Sequence, residues 1–141
     1  MLREYSRVID LFDNTIAEGS ILAVVLMVYV YGVAYNIGGV YVKDSTGVMT
    51  PGIVRSSLGT IAIIAMLPTI IWPAIYVSLF DGVFWAGVVT FLITTIGGGI
   101  AGKLLGVTAA RGAFMGIHFI LATIAMIAGY WLSLTNLPGA S

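Results

Sequence analysis

The sequence predicts an all-α integral membrane protein, with four transmembrane helices in an up-down bundle behind a short N-terminal amphipathic helix. Six basic and six acidic residues among 141 leave four uncharged runs, Gly19 to Val42, Ser56 to Phe80, Gly82 to Gly102 and Gly112 to Ser141. Each exceeds the 18 or so apolar residues that read as a candidate for crossing a bilayer core of about 30 Å. The composition agrees: 60% of residues are hydrophobic and 9% charged, where a soluble domain carries about 25% charged residues. Four spans use about 100 positions. That leaves short loops and an N-terminal segment, and no room for a soluble catalytic domain.

The elements follow in order. Residues 1–18 form an interfacial segment, in which Tyr5, Val8, Ile9, Phe12 and Ile16 recur at helical spacing while Arg7, Asp10, Asp13 and Asn14 fall elsewhere. Acidic Glu4, Asp10, Asp13 and Glu18 interleave Arg3 and Arg7, so this is not a secretory signal. Interfacial anchors are commonly rich in Lys and Arg, so this acidic helix is suited to a neighbouring protein as well as to lipid. Residues 19–141 form the transmembrane domain, with spans at about 19–42, 56–80, 82–102 and 112–135. Thr15-Ile16-Ala17-Glu18 matches the capping box and places the start of span one there. Thr50-Pro51 supplies an N-cap and a first-turn proline for span two. Asp81-Gly82 is the sole break between spans two and three, which predicts a tight hairpin with Asp81 capping the third helix. Span three ends in the run Gly97 to Gly102, Lys103 to Arg111 is a loop, and span four opens at Gly112.

Charge narrows the function. A balanced total offers no field for nucleic acid, and zero cysteines remove disulfides and thiolate metal sites without fixing a redox compartment. Lys43, Arg55, Lys103 and Arg111 lie on one side of the four-span topology, against Arg3 and Arg7 on the other. The positive-inside rule then places both termini on the non-cytoplasmic side, in a multi-pass protein of the cell membrane.

Small residues mark the expected helix interfaces. Gly98 with Gly102 and Gly112 with Gly116 are GxxxG pairs, which lets backbones approach, between spans three and four or with a partner. Met115, His118, Ala122, Ala125 and Gly129 share one face of span four. Tyr29, Gly32, Asn36 and Gly39 are spaced as one stripe of span one. Tyr41, Trp72, Trp85, Tyr130 and Trp131 are candidates for interfacial belts, although Trp72 lies deep enough to fill a protein contact.

Few residues invite chemistry. His118 is the single histidine, and a metal site needs three or more ligands, so no cofactor follows from this chain alone. Its first reading is a hydrogen bond across helices, with proton relay, quinone contact or ligation completed by another subunit beside it. Pro68 and Pro73 interrupt span two and free backbone carbonyls, which Thr69 can help satisfy. A broken helix also lines sites in transporters, so Pro68, Thr69, Pro73 and Thr94 form a possible solute path, with Thr90 and Thr95 near it.

The expected function is a non-catalytic accessory or structural subunit of a larger integral membrane complex, whose partners are other membrane subunits and the lipid bilayer. The alternative is a small homo-oligomeric channel or carrier for a neutral or hydrophobic solute. A third reading is a redox or quinone-linked enzyme component that uses His118.

Overall fold

The computed structural model describes residues 10–46, 50–109 and 113–139. All regular structure among them is helical: α1 (Asp13–Ala17), α2 (Ile21–Lys43), α3 (Gly52–Arg55), α4 (Ser57–Met66), a 3-10 turn (Leu67–Ile70), α5 (Trp72–Asp81), α6 (Phe84–Ala109) and α7 (Ala113–Thr135). Three of these, α2, α6 and α7, are long and apolar enough to cross a membrane. A fourth span exists if α4 with the 3-10 turn and α5, bent by 42° at their junction, counts as one. Residues 1–9, where the amphipathic pattern begins, and Gly112 lie outside the described residues.

Four expected boundaries move, each for a physical reason. Span one starts at Ile21 instead of in the Thr15 capping box, because Ser20 Oγ accepts from the Ala23 N–H at 3.2 Å and Thr15 is engaged elsewhere. Thr50 caps no helix, because its hydroxyl donates to the Asp44 carboxylate, and Pro51 stands at the N-cap of the one-turn α3; α4 is capped by Ser56, whose Oγ accepts from the Gly59 N–H at 3.0 Å. Asp81 does not cap the third helix. Its carboxylate turns back to α1, where it accepts from the Asn14 N–H at 3.0 Å, the Thr15 N–H at 3.2 Å and the Thr15 hydroxyl. The hairpin turns at Gly82, which ends α5 with φ 65°, a left-handed conformation that suits glycine.

The fourth change concerns α6, which runs on through Gly97 to Gly102 to Ala109, so Lys103 is helical rather than part of a loop. Glycines disfavour helix in water by about 1 kcal/mol each, but here they are contact surface. A Cβ on Gly98 would fall 2.2 Å from Tyr31 Cδ1, and one on Gly102 would fall 2.8 Å from the Gly32 carbonyl oxygen. The Gly98 and Gly102 pair therefore packs against span one, and neither against span four nor against a partner chain, the two contacts expected of it.

α2 is the hub. α6 packs along it through the glycines, and α7 packs along it through the predicted small-residue face, while α6 and α7 scarcely touch each other. Ala122 and Ala125 are buried, and a Cβ on Gly129 would lie 3.2 Å from Met27 Cγ. Met66, Met115 and Phe119 close the core around Val30, Val33 and Ile37. Gly116 is not at a close helix contact; a Cβ there would meet only Pro51, at 3.9 Å. The stripe of span one is divided, with Tyr29 facing α7, Gly32 facing α6, and nothing within 4 Å of a Cβ on Gly39.

The N-terminal segment docks on its own chain. Leu11 and Phe12 pack on Tyr76, Val77 and Ala86 at the hairpin end, and the Ser20 N–H donates to the Tyr76 hydroxyl at 2.9 Å.

Candidate functional site

The bend of the fourth candidate span is built by residues far apart in sequence. Pro68 cannot offer an N–H to the carbonyl of Ala65 three residues back. The Tyr130 hydroxyl of α7 donates to that carbonyl at 3.3 Å. Thr69, fully buried, donates its hydroxyl to the Met66 carbonyl at 2.5 Å, which is not one of the carbonyls that Pro68 or Pro73 leaves without a donor. Trp72 Nε1 donates to Ser133 Oγ at 2.8 Å, and its ring lies 6.2 Å from that of Tyr130, so Trp72 fills a protein contact. Tyr41, Trp85 and Trp131 stay exposed.

The residues of the possible solute path do not share a cavity. Pro68 is exposed, and Thr69 and Pro73 are buried. Thr94 sits apart, fully buried, on a cavity of about 290 Å³ between α1, α2 and α6 that Phe12, Ile16, Ile21 and Thr90 also line. The Thr94 hydroxyl has no hydrogen-bond partner among the described residues. Thr90 and Thr95 return their hydroxyls to their own helix, at the Ala86 and Phe91 carbonyls.

His118 Nδ1 lies 3.0 Å from the Tyr29 hydroxyl, joining α7 to α2. No group of three or more metal-ligating side chains occurs among the described residues.

A second cleft, of about 690 Å³, lies between the C-terminal half of α2, α4 with the 3-10 turn, and α6. No expectation drawn from the sequence pointed to it, although the glycines and lysines that make it stand in plain view. Its floor is Gly38 and Gly39, where a Cβ would meet nothing within 4 Å. One wall is apolar, from Ile63 and Leu67, and the other is polar, from Tyr35 and Asn36. Lys43 and Lys103 both line it, and no carboxylate does. Among the described residues the one ion pair is that of Arg55 with Asp44, at 3.4 Å, so neither lysine is neutralised by an acid there. The Asp44 carboxylate is turned into the 44–55 loop, where it accepts from the Thr50 N–H and hydroxyl, both at 2.8 Å, and from Arg55.

Lys103 stands six residues before the end of α6, about 9 Å inside the helix terminus at 1.5 Å per residue. It is exposed and stands next to the end of the apolar stretch Phe84–Leu104, where a lysine stem can lie along apolar surface with its ammonium at the polar edge. The arrangement can hold an anion beside an apolar chain. Compared with known proteins, the chain matches no family model, no curated protein and no solved structure.

Proposed function

We propose that the chain spans the bilayer four times, with the bent α4 and α5 as one span, and serves as a non-catalytic accessory subunit of a larger membrane complex. One observation carries this reading. In α2, α6 and α7 only 28% to 33% of the apolar window is buried within the chain. The remainder needs cover from lipid or from protein. Rows of uncovered apolar side chains run along both helices, Ile96, Ile100 and Leu104 on α6 and Ile120, Ile124 and Ile127 on α7. These faces are where neighbouring subunits dock.

The polar groups of the spans support packing as their role. Thr69, Thr90, Thr95 and Thr123 all bond to backbone carbonyls of their own helical segments, and Tyr29 with His118 and Tyr130 with Ala65 join helices. The test is extraction of the tagged protein from its native membrane in mild detergent, followed by native mass spectrometry. Foreign subunits in fixed stoichiometry are expected. A homo-oligomer that carries solute flux on its own in liposomes overturns the proposal in favour of a channel or carrier, and haem or quinone in a complex that fails on His118→Ala favours the redox reading.

A further inference from the structure

We infer that the cleft between α2, α4 and α6 seats one acyl chain of an anionic phospholipid drawn from the bilayer, with the headgroup phosphate held by Lys103 and Lys43. The inference rests on the membrane reading above and is independent of the subunit role.

Shape comes first. The lining of the cleft runs along α2 from Tyr31 to Lys43, about 18 Å of helix, which is the scale of an extended acyl chain and longer than a small solute needs. Its volume of about 690 Å³ is held open by two adjacent glycines whose Cβ positions are empty. Opposite them, Ile63, Leu67 and Ile70 offer methyl groups. A chain of methylenes lies in such a trough without displacing any side chain.

Charge decides the class of headgroup. Gly102 meets Gly32 and Tyr35, so Lys103 begins near the level of Tyr35, and Lys43 stands eight residues, about 12 Å, further toward the loops. Both lysines line this one cavity, which no carboxylate lines, and long flexible stems let the two ammonium groups approach one headgroup along it. A zwitterionic headgroup brings its own cation into that field. An anionic one meets two cations with Asn36 beside them, and charge-assisted hydrogen bonds to phosphate are the stronger kind.

The test uses the full chain. After an alkaline carbonate wash, the protein is purified, delipidated and titrated with phosphatidylglycerol or phosphatidylcholine of equal acyl length, with bound lipid counted by native mass spectrometry. One tightly bound phosphatidylglycerol is expected, favoured at least tenfold over phosphatidylcholine. Lys43→Gln with Lys103→Gln brings the ratio near one, the two Arg substitutions keep it, and Gly39→Leu, which fills the trough, lowers both lipids together; circular dichroism checks that each variant keeps its helix content. Equal binding of both lipids by the unaltered chain, or a preference that survives the double Gln variant, overturns the lipid site. A partner subunit that cross-links through Gly39→Cys in the native complex overturns it too, by assigning the trough to a helix. Release of the protein by carbonate overturns the membrane reading instead.

Discussion

The Asp81 carboxylate ties the start of α1 to the hairpin end of α5 through two backbone amides and a hydroxyl. An aspartate beside a glycine between two apolar runs is a helix cap by local rules, and it does cap a helix, but the helix is α1, 66 residues earlier in the chain. Thr15, read as the cap of span one, is the buried partner of that carboxylate. Local chemistry thus identified Asp81 as a capping residue but not Thr15, which lies inside α1, and the pairing of the two depends on the tertiary fold that brings α1 to the hairpin. Asp81→Ala should leave two backbone donors and one hydroxyl without their acceptor, at a cost of about 1–3 kcal/mol. Faster amide hydrogen exchange at Asn14 and Thr15, with α6 unchanged, is the expected signature. The Tyr29 and His118 bond was legible as a bond across helices, though not its partner. A double-mutant cycle with Tyr29→Phe and His118→Ala should give a coupling of about 0.6 kcal/mol, the average for hydrogen bonds between helices in a bilayer.

At the scale of elements, Pro68 and Pro73 made the break in span two readable, since proline removes a backbone donor wherever it stands. What repairs the break was not readable, because Tyr130 and Ser133 lie more than 60 residues away and approach only through packing of α7. Tyr130→Phe should therefore destabilise the bundle by about 1 kcal/mol, read as a lower thermal midpoint in detergent. The end of α6 was misread for a related reason. Glycine propensity describes an isolated helix, whereas Gly98 and Gly102 sit against Tyr31 and the Gly32 carbonyl with no space for a methyl group. Gly98→Ala should cost about 1–3 kcal/mol through overpacking, while Gly39→Ala, with open space around it, should be neutral or mildly stabilising. Thermal unfolding of the pair separates the two kinds of glycine, which one sequence symbol cannot.

For the whole molecule, charge spacing and hydropathy delimited most of the long helices, because a bilayer demands uninterrupted apolar length. They could not give the order of packing, and the cleft arises from that order: α5 leaves α4 to join α6, and the trough opens along α2. Sidedness rests on four basic residues against two and is open to direct measurement. The absence of cysteine makes any introduced thiol a unique probe, and Ser45→Cys should react with a membrane-impermeant maleimide only when the cytoplasmic face is accessible. Labelling from the outside reverses the topology. The central position of α2 also bears on how the protein is made. It leaves the ribosome first among the long helices, yet the faces around Gly32 and Met27 are covered by α6 and α7, which are synthesised some 65 to 100 residues later. The earliest of the three long helices is therefore enclosed only after the other two have been made, and until then its inward side is not covered by its own partners α6 and α7.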